Sequence, residues 1–285
     1  MNWYDANGTA LRYQLGEGDG PTLVLIHEMG GSLESWDEVW TALPGLRLLR
    51  YDTRGAGLSQ KIVGEVEIDQ HVDDLAALLD GLGLQGPVSL AGVAVGAAIA
   101  IRFAARHPQR VDALVAMAPA CGVAEAAREG ALQRAAAIRR EGLTETVAAL
   151  LEKTWPVPLR SDPARYETFR LRWQGGDPQG FAAVFAMLAR MNLDGDLPRL
   201  PPRTLLVAGE YDGLRPPAEI DRLAALAPQA EALHVASGHF MPVQSPRLVS
   251  TLLRRFVGEG ARGAAIYPAF IADPANRAGA SGHAA

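Results

Sequence analysis

The chain has 285 residues, 48% hydrophobic and 21% charged, which suits one large α/β domain or a core carrying an insertion. A formal charge of −5 with scattered arginines offers no basic field to a phosphate backbone, so nucleic acid is not an expected partner. The single cysteine, Cys121, excludes an internal disulfide, the six histidines have no metal-ligand spacing, and no run approaches the roughly 18 apolar residues of a membrane span. The expectations are a reduced cytoplasmic setting, no metal, no cofactor, no membrane contact and a small-molecule partner; the N-terminal MNWYDANGTALRYQLGEG has no basic start followed by an apolar run and so no export signal.

Apolar β-rich runs alternate with longer segments of helical period, which predicts an α/β fold, a mostly parallel twisted sheet with flanking helices. In chain order, Leu11–Leu15 is expected as an early antiparallel strand, followed by buried strands at Thr22–Ile26, Arg47–Tyr51, Val88–Ala91, Ala113–Met117, Thr204–Ala208 and Ala232–Val235. Asp69–Leu82 sets Val72, Leu75, Leu78, Leu79 and Leu82 on one helical face, and Ala97–Arg106 is a small-residue helix that can pack closely on a sheet. Between Gly122 and Pro202 the rhythm gives way to Arg-rich helical sequence broken by WPVPL and QGGDPQG, an inserted helical cap. The expected organisation is a core of residues 1–121 and 203–258, a cap of 122–202, and a flexible tail of 259–285, with docking of its IYPAFI patch on the core as the alternative.

Val88–Gly96, VSLAGVAVG, runs a buried strand into Gly-x-Ala-x-Gly and then a helix. That is the spacing of a nucleophile elbow, where two glycines relieve crowding and the central side chain is thrust out at the carboxyl edge of the sheet. The central residue is Ala94, and a plain β-α turn with small residues for packing is the alternative reading. Three further segments follow the appropriate strands: His27-Glu28-Met29-Gly30-Gly31, Gly209-Glu210-Tyr211-Asp212, and Ser237-Gly238-His239-Phe240-Met241-Pro242.

Over about residues 10–257 these segments resemble the α/β-hydrolase fold. The resemblance implies an oxyanion hole made by the Met29 and Val95 N–H groups, Asp212 as the acid and His239 as the base, in the chain order that fold uses. Glu28 stands where the family usually has glycine, and a carboxylate pointing inward there would repel an oxyanion. Asp212 could equally serve as a turn or cap aspartate, His239 as a buried loop histidine, and Glu210 is the second choice for the acid. The Asp52-Thr53-Arg54-Gly55-Ala56-Gly57 turn resembles a structural loop of the fold, tied by Asp52 and Arg54. Within the fold the cap is similar to that of 3-oxoadipate enol-lactonases, which implies a small, often anionic substrate. Arg134, Arg139 and Arg140 are candidates to meet a substrate carboxylate; Trp155, Trp173, Phe181 and Phe185 are candidates for the pocket wall or, alternatively, for the cap core.

A methyl group cannot form an acyl-enzyme, so Ala94 excludes covalent catalysis at the elbow. Three function classes remain: hydrolysis of an ester or lactone by water activated by His239 and Asp212, with carbamate or aminoacrylate hydrolysis as a variant; His-based proton transfer in a decarboxylation, elimination or cofactor-free oxygenation; and ligand binding without turnover. A serine deliberately replaced by alanine is the remaining explanation.

Overall fold

The computed structural model describes residues 1–277. Among them, eight strands form one sheet: β1 (Asn2–Ala6), β2 (Thr9–Leu15), β3 (Thr22–Ile26), β4 (Arg47–Tyr51), β5 (Val88–Val93), β6 (Val111–Met117), β7 (Thr204–Gly209) and β8 (Ala230–Val235), in the spatial order β1-β2-β4-β3-β5-β6-β7-β8. β1, β2 and β4 pair antiparallel and every other pairing is parallel, with Val24 beside both Leu49 and Leu90. The helices are α1 (Asp37–Thr41), α2 (Ile68–Gly81), α3 (Val95–Arg106), α4 (Glu125–Glu141), α5 (Thr144–Thr154), α6 (Pro163–Gln174), α7 (Pro178–Arg190), α8 (Pro217–Leu226), α9 (Met241–Gln244), α10 (Pro246–Leu253), α11 (Gly263–Ala272) and α12 (Pro274–Arg277). None of them is long and apolar enough to cross a membrane.

The unbroken apolar runs of the central strands follow from burial on both faces: every residue of β5 is buried. One apolar layer joins α2 and α3 to the sheet through Val72, Leu75, Leu79, Ile99 and Phe103; the other packs Trp36, Val39, Val249, Leu252 and Phe256 on the opposite face. β6 and β7 are parallel neighbours, Val115 beside Leu205, so the chain leaves the sheet after Met117 and returns to the adjacent position at Thr204. The intervening α4–α7 bury a third cluster, including Ile138, Leu151, Trp155 and Phe169. Asp162 and Asp177 accept the N-terminal N–H groups of α6 and α7, whose first residues are prolines.

Two differences from the sequence expectations have physical causes. β1 pairs with β2 through an Asn7-Gly8 turn with φ of +54° and +72°, a two-residue hairpin loop that accepts left-handed residues. Part of the expected flexible tail is helical: α11 buries Ile266, and the Tyr267 hydroxyl accepts the Ala236 N–H at 2.8 Å, so the IYPAFI segment docks on the core. Asp52 and Arg54 tie the 52–57 turn to different neighbours. Asp52 accepts Arg12 and the Leu33 and Leu58 N–H groups, while Arg54 grips Asp74 of α2. The tail from 278 onward, with His283, lies outside the described residues.

Candidate active site

The elbow is built as the spacing predicts. Ala94 joins β5 to α3 with φ +54° and ψ −114°, a conformation that costs a non-glycine residue on the order of 1 kcal/mol. A Cβ on Gly92 would lie 2.4 Å from the Gly96 carbonyl, and one on Gly96 would lie 2.3 Å from the Ile26 oxygen, so both positions must be glycine. The Ala94 carbonyl accepts the Ala98 and Ala120 N–H groups. The strained turn is therefore held from both sides even though it carries only a methyl group.

Asp212 and His239 come together from the loops after β7 and β8. Asp212 Oδ2 lies 2.7 Å from His239 Nδ1, while Oδ1 accepts the Leu214 and Arg215 N–H groups at 2.8 and 3.0 Å. Asp212 is thus both the turn-capping aspartate and the partner of the imidazole. Burial, the largest single influence, pushes its carboxyl up; the His239 charge and hydrogen bond, with the two backbone N–H groups, outweigh it and leave the carboxyl below the usual aspartate value. An ionised Asp212 fixes the His239 proton on Nδ1 and leaves Nε2 as the basic nitrogen. Glu210 is exposed and pairs with no histidine among the described residues.

The carboxyl end of α5 fastens both loops. Lys153 O accepts the Gly213 N–H at 2.9 Å; Thr154 O accepts the His239 N–H at 3.3 Å and Gln244 Nε2 at 2.8 Å, and Gln244 Oε1 accepts the Phe240 N–H. Sequence reading missed Lys153 and Thr154, which act through backbone oxygens, and Gln244, which acts through its side-chain amide.

On the other side of the elbow, Thr53 donates its N–H to His27 Nε2 at 3.0 Å, so His27 carries its proton on Nδ1 and donates it to Glu28 O at 2.7 Å. That carbonyl also accepts the Gly31 N–H, closing the loop. The Glu28 carboxylate folds over Gly31 and its Oε1 accepts the Ser35 hydroxyl at 2.8 Å; Oε2 is buried without a protein partner. Met29 N–H has no protein acceptor among the described residues, and Val95 N–H, first in α3, has no intrahelical one.

A cavity of about 450 Å³ brings Met29, Ala94, Val95 and His239 together beneath α4 and α7. Its wall is mostly apolar, with Leu150, Phe185, Leu188 and Phe240 among its side chains. A larger recess, about 700 Å³, lies beside the 27–31 loop and shares Glu28, Met29 and Val95 with the first, but neither Ala94 nor His239 lines it. The smaller cavity is the one that holds the chemistry-bearing groups. No cluster of His, Cys, Asp or Glu that could hold a metal ion occurs among the described residues.

The cap residues expected at the site separate into two groups. Arg134, Trp173 and Phe185 line the cavity. Trp155 does not: it is 1% exposed, its Nε1 donates to Leu159 O, and it packs edge-on against Tyr166 and Phe169, so it is cap core. Phe181 packs against Trp173 and lines the larger recess. Arg139 and Arg140 lie on the exposed side of α4, reaching Gly64 O and Ala136 O. Arg215, which the sequence reading passed over, lines the cavity beside His239; its place on the turn capped by Asp212 was the available signal.

With this geometry in place, residues 21–246 match the model of the family described as the alpha/beta hydrolase fold, and the chain belongs to that family. It is similar to 3-oxoadipate enol-lactonase 2 of Acinetobacter baylyi, 26% identical over 88% of this chain and 96% of that one. Among solved structures it resembles the enol-lactonase from Burkholderia xenovorans LB400, at 25% identity and TM-score 0.84 over 90% of this chain and all of that one. It also resembles a thermophilic esterase from Thermogutta terrifontis solved with malate bound, at 27% identity and TM-score 0.82 over 88% of this chain and 94% of that one.

Proposed function

We propose that the protein is a hydrolase of small, carboxylate-bearing esters or lactones, of enol-lactone type, that uses water activated by His239 and Asp212 and forms no acyl-enzyme. The observation that carries the reading is the intact His239–Asp212 pair in a cavity that also contains Ala94 and the Met29 and Val95 N–H groups, which have no protein acceptor among the described residues. Similarity to an enol-lactonase, and to an esterase solved with malate, supports a small oxygen-rich substrate.

His239 Nε2 takes a proton from a water molecule as its oxygen bonds to the carbonyl carbon, in the space that a serine hydroxymethyl group would otherwise occupy. The carbonyl oxygen gains negative charge and is met by the Met29 and Val95 N–H groups. Collapse breaks the bond between the carbonyl carbon and the leaving oxygen, which takes the proton back from Nε2; the products are a carboxylic acid and an alcohol or enol. Glu28 need not oppose this step, because its carboxylate is held over Gly31 by Ser35.

The test is acid release, followed in a pH-stat, from five-membered lactones and methyl esters that carry a second carboxylate. Turnover by the wild-type protein, insensitivity to a fluorophosphonate and a loss of at least about 100-fold in His239→Ala are the expected results. Hydrolysis unaffected by His239→Ala, or hydrolysis seen only after Ala94→Ser, overturns the proposal.

A further inference from the structure

We infer that Arg215 is the carboxylate anchor of the cavity, and that the ligand is a small monoanion or dianion whose other polar atoms are hydrogen-bond acceptors. The inference rests on the site proposed above but concerns binding, not turnover. Arg215 is half-buried and lines the same cavity as Ala94 and His239. Its guanidinium donates from Nη1 to Leu214 O and from Nη2 to Gly122 O, both at 3.1 Å. These two bonds hold it in place but leave its charge uncompensated: no carboxylate lies within salt-bridge distance of it among the described residues. Asp212 is engaged through the Arg215 backbone N–H, and its other oxygen faces His239. A guanidinium has five N–H donors, so several remain for a ligand.

The other polar side chains of the cavity point to the same ligand chemistry. Arg134 enters from α4, exposed and without an ion-pair partner among the described residues. The Trp173 indole N–H is buried without an acceptor, and Glu28 is committed to Ser35 through Oε1. Beside the basic nitrogen of His239 and the unpartnered Glu28 Oε2, the groups that remain are donors, Arg215 and Arg134 among them. An apolar cavity of about 450 Å³ with two cations that have no ion-pair partner among the described residues favours a compact keto- or hydroxy-acid or its lactone. Arg215, held by two carbonyls, is the preorganised cation; Arg134, on an exposed face, is the looser one.

Calorimetric titration of a His239→Ala parent protein, in which the ester is not consumed, with levulinate and with its uncharged methyl ester tests this. Arg215→Met is expected to weaken levulinate roughly ten- to hundredfold and leave the methyl ester within about twofold, while Arg215→Lys recovers part of the loss and Arg134→Met costs less. A purely structural role would weaken both ligands alike. Equal losses for acid and ester, unchanged levulinate affinity in Arg215→Met, or no levulinate binding by the parent protein each overturn the inference. Tight, Arg215-dependent levulinate binding in a protein that hydrolyses nothing sustains the anchor while removing the hydrolase.

Discussion

Replacement of Asp212 by asparagine separates its two jobs. Its Oδ1 serves the Leu214 and Arg215 N–H groups at 2.8 and 3.0 Å, and its Oδ2 serves His239 Nδ1 at 2.7 Å. Asparagine has a single acceptor oxygen, and keeping the turn requires that oxygen where Oδ1 stands. The amide NH2 then faces Nδ1, which must become an acceptor, and the ring proton moves to Nε2. The fold is retained while the base is lost. A wrong tautomer of this kind costs about 10⁴-fold in rate, or ~5.5 kcal/mol in the barrier. Stability should change little, since two turn hydrogen bonds persist and a buried charge is removed. Steady-state hydrolysis reports the rate, and nitrogen-detected NMR of the histidine side chains reports the tautomer without reference to any substrate. Asp212→Asn with activity within tenfold of the parent, or with His239 still protonated on Nδ1, would refute the assignment of the two oxygens.

Other expectations follow from the same geometry. Ala94→Ser places a hydroxyl on the strained elbow beside His239, so the variant should be labelled stoichiometrically by a fluorophosphonate that leaves the parent untouched; an unlabelled variant would show that Nε2 does not reach the elbow. Burial, then the charges of Arg54 and His27, hold the His71 imidazole down to about 3, whereas the unfolded chain titrates near 6.5. The folded value is the lower one, so stability from this group is complete above about pH 6.5 and falls by about 1.4 kcal/mol per pH unit toward pH 3. His71→Met should flatten the urea midpoint between pH 6.5 and 4.5, and parallel profiles would contradict that. Burial pushes the Cys121 thiol up to about 12, so iodoacetamide at pH 8 should leave it unmodified in the native protein and modify it fully in urea.

The sequence was most informative where one local rule governs. Buried runs such as TLVLI and RLLRY became strands with the expected ends, and the Gly-x-Ala-x-Gly spacing became an elbow because both glycines meet backbone within 2.4 Å. β1 escaped notice because its burial is slight and its composition, NWYDA, is polar; the Asn-Gly turn beside it was the usable signal. The cap was harder, since an aromatic residue in a helical stretch has the same appearance whether it faces a cavity or a core. Trp155 and Trp173 differ only in which side of the cap cluster they occupy, and that depends on how α5, α6 and α7 meet. The loop fastenings at Lys153 and Thr154 use carbonyl oxygens, which every residue type supplies equally.

Those fastenings make the cap and the chemistry mechanically inseparable. One turn of α5 holds the acid loop through Lys153 O and the histidine loop through Thr154 O, so lifting that helix pulls on the His239–Asp212 hydrogen bond at the same moment that it opens the cavity. Any attempt to change specificity by grafting another cap onto this sheet must therefore reproduce two carbonyl positions as faithfully as it reproduces the pocket wall.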